Sequence, residues 1–183
     1  DDASSYMKLK QAIFNACMIN TENPIESWNR QLDFIAKKAN KLNELNIKKL
    51  NITNSLGTNL ELELPNDAIW CSASEGEKIV NMPSYEIFTS PDYLKTNGIV
   101  YSALPLIYNG ALVKDFYLEF KGGKVVNFDA LVGKDILEGI INSDPYACYL
   151  GEVALVNNDS PISNTGLIVE TTLFDENASC HLA

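Results

Sequence analysis

Histidine is scarce in this sequence: His181 is the only one among 183 residues. A Ser-His-Asp or Cys-His arrangement would have to recruit that single imidazole, which lies two residues before Ala183. The sequence also has no glycine-rich phosphate loop and no nucleophile elbow. Chemistry based on a serine or cysteine nucleophile, or on a phosphate loop, is therefore disfavoured.

Basic residues and long apolar runs are lacking as well. Lys and Arg number 14 against 24 Asp and Glu, which gives a formal net charge of −10. No run of Lys and Arg offsets this charge, so a nucleic-acid backbone would be repelled. No apolar stretch approaches the roughly 18 residues needed to span a bilayer. We therefore expect neither a nucleic acid nor a membrane as a partner.

Cysteine pairs with metal-binding or redox spacing are absent. The four cysteines lie far apart and form no C-x-x-C pair: Cys17, Cys71, Cys148 and Cys180. A chain of this size can bury a hydrophobic core without disulfide bonds, so scattered cysteines are typical of a reduced, cytoplasmic protein. The chain opens with DDASSYMK, without an initiator Met or an apolar signal segment. We expect a cytoplasmic protein whose two ends are cuts through a longer chain.

The first 48 residues have the pattern of amphipathic helices. Asn23 can cap a helix, Pro24 suits its first position, and Glu26 completes a capping box. Apolar residues then recur at steps of three and four, which predicts a packed helix face: Ile25, Trp28, Leu32, Ile35, Ala39 and Leu42. A shorter stripe with the same expected role precedes it: Tyr6, Leu9, Ile13 and Ala16.

After Leu50 the period changes to two, as in β-strands. In NLELELP the leucines share one face and Glu61 and Glu63 the other, which favours an exposed strand face over a ligand role. Gly122 and Gly123 predict a hairpin turn, GKDILEGIIN a short helix, and LGEVALV and GLIVETTLF two more strands. We predict one α+β domain: helices at 1–48, then at 49–183 a largely antiparallel sheet with short helices, for which a barrel-like form is left open.

Carboxylates are the remaining candidates for chemistry. Three glutamates lie beside turn residues or in apolar surroundings, namely Glu86, Glu152 and Glu176, and His181 follows the third by five positions. Buried carboxylates need a partner, and a divalent cation neutralises several at once. Glutamate and histidine ligands suit zinc, cobalt or manganese. The residues alone indicate a metal site as one reading, with surface or capping glutamates as the other.

The same stretches resemble the thermophilic-type metallo-aminopeptidases, the group of aminopeptidase T and aminopeptidase S. The matching phrases are NMPSYEIFTSPD, GIVYSALPL, LGEVALVNNDSPIS and TLFDENASCHLA. They occur in the family's order and at compatible separations, and the likeness covers nearly the whole chain. This resemblance implies a metal-dependent aminopeptidase that removes N-terminal residues from peptides, and it allows a homodimer.

Carried over position by position, the resemblance implies metal ligands at Glu86, Glu152, Glu176 and His181. Glu152 would be shared between two divalent ions, zinc, cobalt or similar. Such a pair polarises the scissile carbonyl and lowers the pKa of water. No catalytic residue is assigned. The family has two adjacent glutamates in the first motif, whereas this chain has Tyr85 before Glu86.

Relatives also continue past the histidine motif to a tyrosine, a further histidine and an aspartate, and they carry another α/β domain before the helices. The resemblance therefore implies a catalytic-domain fragment of a larger two-domain enzyme, cut at both ends and inactive in isolation. Two hypotheses from other classes remain: a non-catalytic acidic domain for folding or subunit contacts, and a glycoside hydrolase with paired glutamates.

Overall fold

The structure is a computed structural model that describes residues 2–75, 78–79 and 82–183. Asp1 of the predicted helical segment and Asn81 of the phrase NMPSYEIFTSPD lie outside the described residues. The chain divides into two compact units, each made of separated segments. The first consists of Asp1–Asn46, Ile69–Thr89 and Ala154–His181, and the second of Ile47–Ala68, Ser90–Val153 and Leu182–Ala183.

The two predicted N-terminal helices are present, as α1 (Asp2–Ala16) and α2 (Pro24–Leu45). Asn23 caps α2 as predicted, because its side-chain oxygen accepts a hydrogen bond from the Glu26 N–H at 3.2 Å. The stripe on α2 buries Trp28, Ile35 and Ala39. Ile25 at its start is 76% exposed, so the packed face begins one turn later than the sequence predicts.

The predicted stripe on α1 is wrong over its first half. Ala16 is buried at the end of α1, but Tyr6 is 64% exposed and Leu9 38% exposed. Apolar periodicity predicted the helix correctly, but it does not reveal whether the described chain supplies a surface to cover that face. Within the described ranges, no helix has the length and apolar character to cross a membrane.

A four-stranded sheet lies mostly in the first unit and includes Glu86 and His181. It has the order β12-β11-β6-β3, with β3 at Cys71–Ser72, β6 at Glu86–Thr89, β11 at Val153–Val156 and β12 at His181–Leu182. Two further short strands, β4 (Ser74–Glu75) and β5 (Lys78–Ile79), pair with each other. The core of this unit combines residues from the helices, from beside β6, from β11 and from the segment after β11: Ala16, Trp28, Tyr85, Val156 and Ile162.

The second unit is a six-stranded antiparallel sheet. Its main path is β1-β2-β7-β9-β10, and β8 pairs with β9. The strands are β1 (Lys49–Thr53), β2 (Asn59–Glu63), β7 (Thr96–Tyr101), β8 (Leu106–Tyr108), β9 (Ala111–Lys121) and β10 (Lys124–Val132). Helix α3 (Lys134–Ile141), predicted from GKDILEGIIN, shares a core with the sheet: Val113, Leu137, Ile141 and Cys148.

The predicted α+β fold class is confirmed. The barrel-like form is not found among the described strands, because β1 and β10 end the path without pairing with each other.

The charges on β2 have the structural role that the sequence favours. Leu60 and Leu62 are buried on one face of β2. Glu61 lies 2.8 Å from the Lys49 ammonium, and Glu63 lies 3.1 Å from that of Lys95. These exposed pairs explain both glutamates without a metal.

The predicted strand GLIVETTLF is wrong. Residues 166–170 form no regular element, and Thr172–Glu176 is a short helix, α4. The Asp175 carboxylate accepts hydrogen bonds from the N–H groups of Val169 and Thr171, which a neighbouring strand would otherwise use. Glu170 has a φ of 60°, which no extended strand allows. The side chain of Asp175, four to six residues further along the chain, thus binds backbone groups that a strand would need.

The turn of the β9–β10 hairpin contains two glycines, Gly122 and Gly123, whose surroundings differ. Gly122 and Gly123 have φ values of 58° and 84°, as predicted, but only Gly123 has close neighbours. A Cβ at Gly123 would lie 1.8 Å from the Tyr93 carbonyl oxygen, whereas one at Gly122 meets nothing within 4 Å.

We expect Gly122→Ala to lower the free energy of unfolding by about 1 kcal/mol, because alanine is strained in the left-handed conformation. Gly123→Ala should cost on the order of 3 kcal/mol, because main chain must also move. Urea unfolding of the two variants measures both, and equal losses would contradict the close approach.

Candidate metal centre

Glu86 is a buried acid at the first position of β6. The residue is 4% exposed, and Ser84 and Tyr85 before it are also buried. A carboxylate removed from water to this extent is costly unless a positive charge or a hydrogen-bond donor compensates it. The surroundings of Glu86 must therefore include such a partner, either a cation or a hydrogen-bond donor.

His181 is that partner in the described chain. Its Nε2 atom lies 3.2 Å from a carboxylate oxygen of Glu86, and its side chain is 13% exposed. Its Nδ1 atom lies 3.1 Å from the carbonyl oxygen of Ser179, which can only accept a hydrogen bond. Nδ1 therefore carries a proton, and Nε2 is directed at Glu86. A backbone carbonyl that orients the other ring nitrogen in this way is common behind metal-binding histidines.

Glu152 directly precedes β11 and is anchored through its main chain. Its N–H donates to the Ala183 carbonyl at 2.9 Å, and the Ala183 N–H donates to the Glu152 carbonyl at 3.2 Å. One ligand atom from each of Glu86, Glu152 and His181 lies within 4.8 Å of the others. Three of the four residues predicted as ligands are thus brought together, although 95 positions separate the outer two in the sequence.

Glu176, the fourth predicted residue, is the last residue of α4. Its negative charge is one of the influences that raise the pKa of His181, so its carboxylate lies within electrostatic range of the ring. Among the described residues, the distances between ligand atoms thus group three of the four predicted residues, and Glu176 is not one of the three.

The protonation of His181 reflects these neighbours. Burial is the largest single influence, and by itself it would lower the pKa of the imidazole. Several influences act in the opposite direction: hydrogen bonds to Glu86 and to the Ser179 carbonyl, and the charges of Glu86 and Glu176. Together they outweigh burial and raise the pKa of His181 to about 9. Without a metal, the ring is therefore a cation at neutral pH.

The donor set fits a divalent metal. Two carboxylates and one imidazole match the ligand types of zinc and related ions. Two atoms bound to one such ion through bonds of about 2 Å lie at most about 4 Å apart. The three ligand atoms, which lie within 4.8 Å of one another, would therefore move slightly closer on binding. The same site that holds a proton on Nε2 can therefore hold a metal there instead.

Tyr85 has a packing role in the structure. Its hydroxyl donates a hydrogen bond of 2.6 Å to the Ala16 carbonyl, and its ring packs against Trp28 with centroids 6.0 Å apart. Burial raises the pKa of this hydroxyl, which therefore keeps its proton. Where the resemblance implies a second acid, this chain has a residue that joins β6 to the end of α1.

Sequence reasoning missed two groups that support the site. The Ser179 carbonyl orients His181, but a backbone acceptor has no signal in a sequence. Asn177 is 0% exposed and accepts a hydrogen bond from the Tyr85 N–H at 2.7 Å. A polar residue directly after Glu176 was a signal that could have identified it.

Comparison with known proteins identifies the family of the chain. The chain matches the thermophilic metalloprotease (M29) family over residues 1–183 and belongs to that family. It is 39% identical to aminopeptidase AmpS of Bacillus subtilis (strain 168) over 180 residues, which are 96% of this chain and 44% of that protein. It is 34% identical to aminopeptidase T of Thermus aquaticus, covering 100% of this chain and 46% of that protein.

A solved structure is similar as well. Wild-type AmpT from Thermus thermophilus matches with a TM-score of 0.80 and 33% identity, over 94% of this chain and 43% of that one. The chain thus spans less than half the length of the relatives it matches. The resemblance inferred from the four phrases is confirmed, and membership of this metalloprotease family implies the use of a divalent metal.

The raised pKa of His181 predicts how stability depends on pH. The imidazole has an ordinary pKa of about 6.5 when unfolded and a pKa of about 9 when folded. Its contribution is therefore complete below pH 6.5 and is lost as the pH rises through 9. We expect the free energy of unfolding of the metal-free chain to fall by about 2–3 kcal/mol between those pH values.

Urea unfolding in the presence of a chelator, at steps between pH 6 and 9.5, measures this fall. His181→Gln is the control, because it keeps a polar side chain without a titrating ring and should flatten the profile. A wild-type profile already flat over this range would show that Glu86 does not hold the imidazolium.

Proposed function

We propose that this chain forms part of a metal-dependent aminopeptidase and that Glu86, Glu152, Glu176 and His181 hold its metal. The observation that carries the proposal is the convergence of Glu86, Glu152 and His181 within 4.8 Å in a member of a metalloprotease family. The relatives named as aminopeptidases support the reaction class, which is hydrolysis at the N-terminus of a peptide.

Each residue has a role that follows from its surroundings. Glu86 supplies a buried negative charge that attracts a cation into the site. His181 supplies Nε2 once that atom loses its proton, while the Ser179 carbonyl keeps the ring oriented. Glu152 supplies a second carboxylate from the position before β11. A bound divalent ion supplies Lewis acidity, which polarises the scissile carbonyl and makes water a stronger nucleophile.

We further propose that the complete centre holds two divalent ions, zinc, cobalt or similar, and that Glu152 is shared between them. One carboxylate between two cations reduces their mutual repulsion. Two ions need more ligands than the three atoms that converge among the described residues, since each ion takes at least three ligands from the protein. The 183 residues alone are therefore proposed to bind metal but not to reach the turnover of a full-length relative.

A cytoplasmic location is part of the same proposal, supported by four free cysteines. A peptide is the proposed partner. The homodimer allowed by the resemblance stays a prediction.

The metal assignment is tested by substituting one oxygen donor. Glu86→Gln keeps the size of the side chain but removes its charge, so we expect affinity for zinc or cobalt to fall at least about 10-fold. Glu61→Gln is the matched control, because Glu61 is a glutamate that faces Lys49 on an exposed strand face. Isothermal titration of both variants with zinc measures the difference. Equal affinities in wild type and Glu86→Gln would refute the assignment and favour a non-catalytic acidic domain.

The activity assignment needs a separate measurement. We expect the 183-residue chain, with zinc or cobalt added, to hydrolyse an aminoacyl-nitroanilide at least 100-fold more slowly than aminopeptidase AmpS of Bacillus subtilis does under the same conditions. The expected gap reflects an incomplete ligand set, because loss of even indirect support typically costs about 10–100-fold. Equal turnover would show that these residues contain a complete centre.

A further inference from the structure

We infer that Asn177 is a positioning residue of the proposed metal centre: its side chain holds the segment that carries Glu176 against the segment that carries Glu86. This inference rests on the proposed function, because positioning has meaning only if those carboxylates bind metal. The supporting contacts all lie within the first unit.

The side chain of Asn177 is fully used inside the protein. Asn177 is 0% exposed, and an amide buried without partners would destabilise the fold. Its Oδ1 atom accepts a hydrogen bond from the Tyr85 N–H at 2.7 Å, and its Nδ2 atom donates to the Leu173 carbonyl at 3.0 Å. The first of these bonds joins residues 92 positions apart in the sequence. It is therefore a tertiary contact, made at the point where α4 ends.

The neighbours of the two bonded residues are the candidate ligands. Glu176 precedes Asn177 and Glu86 follows Tyr85, so each ligand is one residue away from the hydrogen bond. Consecutive Cα atoms are about 3.8 Å apart in fixed trans geometry, so holding one residue keeps the Cα of its neighbour within that distance. The bond between Asn177 and Tyr85 thus limits how far the two carboxylates can separate.

A second contact holds Asn177 from its main chain. The Ser160 hydroxyl donates to the Asn177 carbonyl at 2.7 Å and accepts from the Ile162 N–H at 3.3 Å. Ser160 is 1% exposed, and Ile162 belongs to the core of the first unit. Asn177 is therefore connected both to β6, through Tyr85, and to the core, through Ser160.

Helix α4 needs such support. It has five residues, Thr172–Glu176, and helices shorter than about 12 residues are marginal in water by themselves. The bond from Asn177 to Leu173 satisfies one of the carbonyl groups that the end of a helix leaves without a partner. Glu176, the last residue of α4, thus depends on Asn177 for a fixed position.

The chain contains a control for a purely structural role, Asn43, which is matched to Asn177 in its hydrogen bonds although it is exposed. Asn43 accepts from the Trp70 N–H at 2.8 Å and donates to the Trp70 carbonyl at 3.0 Å, the same two kinds of bond in the same unit. None of the four candidate ligands is next to Asn43 or Trp70 in the sequence. Asn43→Ala should therefore lower stability without changing the metal centre.

The test is titration of the chain with Co²⁺, followed by its visible absorption, which reports both affinity and coordination geometry. For Asn177→Ala we expect an affinity about 10–100-fold weaker than that of wild type and an altered spectrum. Asn43→Ala should stay within about 3-fold of wild type with an unchanged spectrum. All titrations are made where circular dichroism shows the variant to be folded.

Ser160→Ala keeps the inference testable if Asn177→Ala does not fold. It removes one buried contact of Asn177 and should weaken Co²⁺ binding more than Asn43→Ala does. Wild-type affinity and spectrum in folded Asn177→Ala, or in Ser160→Ala where the first variant is unfolded, would overturn the positioning role and leave the metal centre intact. Absence of Co²⁺ binding in the wild-type chain would instead refute the proposed function, and this inference with it.

Discussion

The burial of the Glu86 carboxylate is the constraint on which the rest of the first unit depends. An anion that is 4% exposed destabilises a fold unless a cation compensates it, and the described chain provides His181 at 3.2 Å. Burial alone would lower the pKa of the imidazole, but the Glu86 carboxylate, the Ser179 carbonyl and the charge of Glu176 together raise it to about 9. Proton and metal are therefore alternatives at one nitrogen atom, so metal binding should release a proton.

Compensation of the buried Glu86 carboxylate also depends on groups that are not candidate ligands themselves. The Ser179 carbonyl fixes the ring of His181, and Asn177 and Tyr85 connect the two segments that carry Glu176 and Glu86. Tyr85 is bonded through both its N–H and its hydroxyl, and its ring lies in the core. Several hydrogen bonds of moderate strength thus maintain a cluster of like charges that would otherwise repel one another.

Much of the fold was predictable because its signals are local. The cap at Asn23, the apolar stripe on α2 and the glycine pair between β9 and β10 each express chemistry within a few residues. The predicted strand GLIVETTLF was wrong because Asp175 captures backbone N–H groups of the preceding segment, and such competition is invisible in a hydrophobic pattern. The exposed half of the stripe on α1 could not be predicted either, because periodicity describes a helix and not its neighbours.

The four candidate ligands were predicted from a different kind of signal. Family motifs were the reason for choosing Glu86, Glu152, Glu176 and His181. Residues so far apart in the sequence follow no spacing rule that would connect them. The groups that hold them in place were missed, because a main-chain carbonyl has no residue type and a buried asparagine resembles one in a loop. A sequence motif can thus identify candidate ligands, whereas the contacts that orient those ligands are found only in a structure.

The most direct measurement is a crystal structure of the chain grown with zinc, with anomalous diffraction recorded at the zinc absorption edge. We expect an anomalous peak about 2.0–2.2 Å from His181 Nε2 and from a Glu86 carboxylate oxygen, with an oxygen of Glu152 in the same shell. An absent peak, or zinc bound only at surface carboxylates while His181 keeps its 3.2 Å contact with Glu86, would contradict the assignment of this cluster as a metal centre.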